Sequence, residues 1–468
     1  MSALNKTINW KPEATGTGRF GNWLDNLQDW NLSRSRYWGI PLPIWVTEDK
    51  SEKICIGSVA ELKSEIEKAN KLLDLEQVIP NDLHRPYIDS IILVSSNNQP
   101  MKRELDLIDV WFDSGAMPFA QWHFPFENVE KFAQNYPADF IAEGVDQTRG
   151  WFYTLHAISS IVKEEVQAEL SRQGVKVSDE RYPGVAFKNV VSNGLVLDKN
   201  GQKMSKRLGN AVDPFDTLPK YGADATRWYM ISNSQPWDNL KFDEDGILET
   251  RNKLFGTLFN TYNFFAIYAN VDGFEMDEMN VSPVENRTEL DRWILSKLFS
   301  LVKQVTECYE QYEPTNAARL IENYVDEHLS NWYIRLSRRR FWKGEMSEDK
   351  KMAYETLFEC LNVVVQLMAP IAPFFSEWMY KNLTDNIREK AKTNNTPLRH
   401  DSIHLTFLTS VEDKLIDLDL EQRMEYAQRI SSLVLSLRKK EKIRVRQPLQ
   451  RILLPVLNRH SDSSIPRN

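Results

Sequence analysis

Lys203-Met204-Ser205-Lys206-Arg207 lies between Gly201 and Gly209, just after the apolar stretch at residues 190–197. Two lysines and an arginine on a glycine-hinged loop at a strand end suit a polyphosphate. Compact ammonium groups neutralise the oxygens of a phosphoryl group in transfer, and flexible flanks let such a loop close over a nucleotide. A given pentapeptide arises by chance in a chain of this length on the order of once in 10⁴, so the string carries information. A solvated basic turn is the plainer alternative.

Around the loop, residues 106–245 alternate short apolar runs with amphipathic segments. Residues 139–144 look like a strand running into a loop, 147–162 like a helix, 186–197 like further strand and 217–232 like another helix. This alternation predicts a parallel sheet covered by helices, with ligands at the carboxyl ends of the strands. Upstream, residues 1–45 are rich in glycine and tryptophan, and residues 46–105 look like a small insertion. The insertion holds a helix at 58–73 with Ser58 as N-cap and a strand at 91–94.

From residue 246 long amphipathic segments follow one another, at 246–269, 289–312, 315–340, 350–368, 372–383 and 420–441. Pro370 and Pro373 mark a helix boundary. The expected fold class is therefore α/β plus all-α: a Rossmann-like part at 106–245, then a helical bundle at 246–450. Residues 451–468 are expected to be a strand-like stub, at 452–457, and a disordered tail, at 458–468.

Composition narrows the function classes. The chain has 468 residues, 42% of them apolar and 26% charged, as in an ordinary globular protein of two to four domains. No apolar run is long enough to span a bilayer, and residues 1–12 carry no secretory signal. Cys55, Cys308 and Cys360 are far apart, so neither a disulfide scaffold nor a cysteine-based zinc site is expected, and a reducing cytoplasm is the default. The net charge of −8 argues against a general nucleic-acid binder. An acidic chain still grips one RNA when its basic residues are concentrated. They cluster here at Arg335, Arg338, Arg339, Arg340 and Lys343, and again from Arg438 to Arg446.

Three further strings accompany the loop: Asn22-Trp23-Leu24 with Leu32-Ser33-Arg34-Ser35-Arg36-Tyr37-Trp38-Gly39; Asp109-Val110-Trp111-Phe112-Asp113-Ser114-Gly115; and Glu143-Gly144-Val145-Asp146-Gln147-Thr148-Arg149-Gly150-Trp151-Phe152. With Lys203-Met204-Ser205-Lys206-Arg207 their order resembles the isoleucyl-tRNA synthetase family within class I, in its eukaryotic-like branch, which some bacteria also carry. Asn193-Gly194 stands where bacterial-type members usually have His-Gly. The resemblance implies that residues 1–45 end the editing insertion and return to the catalytic core. Residues 106–245 are then the carboxyl-terminal part of the catalytic domain, and 246–450 the anticodon-binding domain.

The resemblance also implies roles. Lys206 and Lys203 are the expected catalytic lysines. Together with Ser205 and Gly194 they bind ATP, with Mg²⁺ arriving on ATP and no protein-bound metal. Glu143, Gly144, Asp146 and Gln147 bind the aminoacyl-adenylate; a carboxylate there accepts from an α-ammonium group or ribose hydroxyls. Trp111 walls the amino-acid pocket. Plain core packing is the alternative for Trp111 and Phe112, and a helix N-cap for Asp146. Arg335, Arg338, Arg339 and Trp332 are expected at the tRNA, since arginines interleaved with aromatics contact phosphates and stack bases. The expected partners are isoleucine, ATP and tRNA-Ile, for a cytoplasmic monomer.

One family signature is missing. None of the seven histidines begins a His-x-Gly-His turn. The expectation is a fragment lacking the start of its sheet, with an uncovered sheet edge and no isoleucine activation by the chain alone. A tRNA-binding module without ligase activity, and a valine- or leucine-specific synthetase, are the competing readings.

Overall fold

Phe187-Lys188-Asn189-Val190-Val191-Ser192-Asn193 buries Phe187, Val190, Val191 and Ser192. That is too much of both faces for a strand with one side in water, and it suits the middle of a covered parallel sheet. In the computed structural model, which describes residues 1–278, 280–394 and 400–454, this segment has that place. The strands among those residues are β1 (Asn9–Lys11), β2 (Ser33–Arg34), β3 (Ile44–Thr47), β4 (Lys53–Cys55), β5 (Ile92–Val94), β6 (Pro100–Arg103), β7 (Leu107–Ile108), β8 (Ala138–Gly144), β9 (Phe187–Asn193), β10 (Val196–Leu197) and β11 (Leu240–Lys241). The chain divides into two units, Met1–Gly194 and Leu195–Asn468.

In the first unit β9 lies between β1 and β8, parallel to both. Trp10 is paired with Val190, and Glu143 and Gly144 with Ser192 and Asn193. Trp10, Phe20, Phe152, Leu155, Phe187 and Val190 form the core over this sheet, each such side chain contributing about 1.5–3 kcal/mol on burial. The Trp10 and Phe20 rings are 4.9 Å apart, and the indole N–H of Trp10 donates to Asn5 Oδ1 at 2.8 Å. β8 is an edge strand, with Phe140 44% exposed. The helix Trp151–Ile161 covers the sheet, and the helix Val110–Gly115 packs on it. A Cβ on Gly115 would lie 2.8 Å from the Thr154 backbone, so only glycine permits this approach.

Residues 44–103 add an antiparallel sheet of order β4-β3-β6-β5 around Trp45, Leu62, Ile66, Leu93 and Met101. Its helix, Val59–Leu73, opens as its sequence predicts: Ser58 Oγ accepts from the Glu61 N–H at 3.0 Å.

Among the described residues of the second unit, the regular elements are helices apart from the β10–β11 pair. The segment 289–312 is the helix Glu289–Glu310, capped by Thr288. The segment 350–368 is the helix Glu348–Met368, capped by Ser347. The segment 420–441 is the helix Leu418–Lys440. Trp293, Tyr324, Tyr333, Phe341 and Tyr354 are fully buried between the helices. Inside this core Asp291 accepts from both terminal nitrogens of Arg340 (2.7 and 2.8 Å), from Tyr333 (2.7 Å) and from Thr288 (2.7 Å). A buried carboxylate is tolerable when its lone pairs are filled in this way.

Several segments differ from their expected form. The helix expected at 147–162 starts at Trp151, because Val145–Arg149 is a tight turn. The apolar stretch 186–197 is two strands with different partners, interrupted at Gly194 and Leu195. The helix expected at 217–232 breaks at Gly222, whose φ is +92°. The segment 315–340 is one rod in which Tyr324–Ile334 winds more loosely. The helix after Pro373 runs to Thr393, ten residues past the expected end, through a polar stretch with no apolar stripe to announce it. Residues 452–454 have no regular structure, and the rest of the expected strand and tail lies outside the described residues.

Candidate functional site

The basic loop belongs to the second unit. Leu197 pairs with Lys203 across a tight reversal at residues 198–202, where the Gly201 N–H donates to the Asp198 carbonyl at 2.8 Å. Ser205 Oγ then accepts from the Arg207 N–H at 3.2 Å and starts the short turn Lys206–Leu208, which Gly209 ends in the left-handed region at φ +65°. Met204 packs on the apolar core, while the side chains of Lys203, Lys206 and Arg207 stay exposed. Among the described residues none of these three forms an ion pair. Three unneutralised cations on a fixed turn suit a polyanion.

The first unit gathers the predicted adenylate residues at the carboxyl end of β8. Glu143, next to last in the strand, is exposed, and Gly144 ends it in register with Asn193. In the next turn Asp146 does not cap the following helix. Its Oδ2 accepts from the Gln147 amide at 3.0 Å, while Gln147 Oε1 takes the first helical N–H, of Trp151, at 3.0 Å. Gln147 thus does the capping, and Asp146 and Glu143 remain in solvent. Trp111 reaches the same turn: its ring comes within 3.3 Å of where a Cβ on Gly150 would stand. The indole is 41% exposed rather than packed in the core. It lines a cavity of about 500 Å³ together with Arg34, Arg36, Trp38, Asp109 and Asp113. Gly194 closes the first unit, whereas Lys203, Ser205 and Lys206 belong to the second.

Reading the sequence did not single out Asp109. It is buried, and its carboxylate accepts from Trp30 Nε1 (2.9 Å), from the Arg34 guanidinium and from the Trp111 N–H (3.2 Å). It therefore starts the helix Val110–Gly115 and fixes the base of Trp111. An acidic residue just before an apolar helical run was the available signal. Its partners Trp30 and Arg34, more than 70 residues away, left none. Burial, then the Asp109 charge, pushes the Asp113 carboxyl upward. No group of His, Cys, Asp and Glu side chains among the described residues is arranged to hold a metal ion. No helix among them is long and apolar enough to cross a membrane.

In the helical unit Arg335, Arg338 and Arg339 are exposed on one rod, and Trp332 is half-buried against the core. Arg340, their neighbour in sequence, is instead committed to Asp291 and Asp349.

The parallel sheet, the strand-end turn and the basic loop find a common match: residues 1–243 fit the family model of class I tRNA synthetases (I, L, M and V). The chain belongs to the class I tRNA synthetases. Residues 291–453 fit a second family model, the anticodon-binding domain of tRNA ligase. The isoleucine–tRNA ligase of Cytophaga hutchinsonii is 59% identical over 99% of this chain, that of Bacteroides thetaiotaomicron 56% over 99%, and that of Thermus thermophilus 42% over 96%. The chain spans about two fifths of the length of these class I relatives (39%, 39% and 40%). Two solved synthetases share the fold at 18% identity. The LeuRS of Agrobacterium radiobacter K84, in a ternary complex with tRNA and LeuAMS, aligns with a TM-score of 0.57 over 84% of this chain and 44% of its own. Methionyl-tRNA synthetase of Mycobacterium tuberculosis bound by methionyl-adenylate aligns with a TM-score of 0.51 over 80% and 58%.

Proposed function

We propose that the chain is part of an isoleucine–tRNA ligase, which activates isoleucine with ATP to the adenylate and transfers it to tRNA-Ile in the cytoplasm. The observation that carries this reading is the 59% identity to an isoleucine–tRNA ligase over 99% of the chain. It favours isoleucine over the valine and leucine alternatives.

The chemistry follows from the side chains. As the α-phosphate becomes pentavalent and pyrophosphate leaves, negative charge grows on the equatorial and leaving oxygens. Lys206 and Lys203, exposed and without an ion pair among the described residues, stabilise that state more than the ground state. Ser205 offers a small hydroxyl group beside the nucleotide, and Mg²⁺ travels on the ATP phosphates. Glu143 accepts from the α-ammonium group of the amino acid, while Asp146 accepts from ribose hydroxyls. Gln147, held by its cap to Trp151, gives the turn a fixed shape. Trp111 bounds the aliphatic side chain. Arg335, Arg338, Arg339 and Trp332 meet the RNA.

A second reading, a tRNA-binding module without ligase activity, is favoured by one observation: the sequence has no His-x-Gly-His turn. Isoleucine-dependent ATP–pyrophosphate exchange decides between them when it is run, beside tRNA binding, on the chain joined behind the amino-terminal part of the Cytophaga hutchinsonii relative, since the chain alone is not expected to activate isoleucine. Exchange with isoleucine and not with valine or leucine supports the ligase. Salt-sensitive tRNA binding with no exchange supports the module. Neither, in a folded sample, rejects both.

A further inference from the structure

We propose that Asp198 and Asn210 form a clasp that presets the basic loop, making them positioning residues for its lysines. The inference rests on the reading of that loop as a phosphate binder. Asn210 stands beyond the loop and bonds to two points of it and to Asp198 on its other flank. Its Oδ1 accepts from the Ser205 N–H at 2.8 Å, and its Nδ2 donates to Asp198 Oδ2 at 2.9 Å and to the Lys203 carbonyl at 3.3 Å. Asp198 stands before the loop. Its Oδ1 accepts from the backbone N–H groups of Asn200 (2.9 Å) and Gln202 (2.8 Å). One carboxylate–amide pair therefore ties the two ends of the segment and fixes the backbone at Lys203 and Ser205.

The pair's hydrogen bonds go to each other and to the loop backbone, so they leave Lys203, Lys206 and Arg207 unneutralised. This is what a positioning device requires: a carboxylate near the loop that shapes it without pairing with its cations. A loop already shaped loses less freedom when a polyphosphate arrives, which favours binding. The Asn210 amide, then the Gln202 N–H, holds the Asp198 carboxyl below the usual carboxylate range, so the pair is charged and intact at neutral pH.

The test uses the 468-residue chain with two readouts: tryptic cleavage after Lys203, Lys206 and Arg207, normalised to cleavage elsewhere, and ATP affinity by calorimetry. N210D sets a second carboxylate against Asp198. It is expected to raise loop cleavage and to weaken ATP binding, each about tenfold. D198N/N210D restores a donor facing an acceptor and is expected to bring both readouts back to within about threefold of wild type. N210A opens the loop similarly and is not rescued by D198N. Equal loop cleavage in all variants overturns the clasp. An opened loop with unchanged ATP affinity overturns its positioning role. A wild-type loop that resists trypsin in a chain that binds no ATP overturns the phosphate reading, and the clasp's purpose with it.

Discussion

Lys206 and Asp291 show opposite uses of charge. Lys206 is exposed and unpaired among the described residues, so the fold does not depend on it. Lys206→Ala is expected to leave the unfolding midpoint unchanged and to weaken ATP binding roughly 10- to 100-fold, the weight of one hydrogen bond to a charged group. Calorimetric titration beside a thermal melt checks both halves. Asp291 is fully buried and filled by Arg340, Tyr333 and Thr288. Asp291→Ala leaves Arg340 with Asp349 alone and takes the acceptor from the buried Tyr333 hydroxyl, and is expected to cost about 3 kcal/mol in urea unfolding. The two residues differ little on paper, each being a charged position near apolar ones. Their difference was not legible in the sequence because burial depends on partners that lie, for Asp291, 42 and 49 positions away.

At the scale of elements, what could be read was local. Ser58 announces the helix Val59–Leu73 through its own hydroxyl, and Pro373 stands at the first turn of its helix. What could not be read was set by contacts between elements. Asp109 anchors Trp111 through Trp30 and Arg34, and Gly115 is needed only because the helix carrying Thr154 approaches it. The capping role of Gln147 was hidden for a smaller reason: Asp146 beside it is the residue type that usually caps.

Two helices carry histidines with a pH consequence, His156 buried and His328 half-buried. His156 donates through Nε2 to the Met1 carbonyl at 3.0 Å, and its buried Nδ1 has no partner among the described residues. Burial holds its pKa down to about 4. His328 accepts at Nδ1 from the Gln428 amide at 3.3 Å, and burial also lowers it to about 4. Between about pH 6.5 and pH 4 the unfolded chain binds more protons at these sites than the folded one. Stability is therefore full above about pH 6.5 and falls as the pH drops toward 4. From pH 7 to pH 5 the expected loss is on the order of 1–2 kcal/mol per histidine, one in each unit. Urea midpoints across that range should fall, and His156→Gln and His328→Gln should each flatten the slope.

At the scale of the molecule, an acidic chain of net charge −8 is proposed to bind RNA through a few exposed arginines. Replacing Arg335, Arg338 and Arg339 together by glutamine is expected to lower the salt dependence of tRNA binding by about 2 in the log–log slope, at roughly 0.7–0.9 per phosphate contact. Filter binding from low to moderate salt measures it. An unchanged slope would place the RNA elsewhere.

The central claim is the proposed isoleucine specificity, with the turn at Glu143–Gln147 proposed to hold the adenylate. Its most direct test is calorimetric binding of non-hydrolysable isoleucyl-, valyl- and leucyl-adenylate analogues to the chain. The account predicts tightest binding of the isoleucyl analogue, by roughly 10- to 200-fold over the valyl one, weakened by Glu143→Gln with helicity unchanged. Equal affinity for all three analogues, or none in a folded sample, would contradict it.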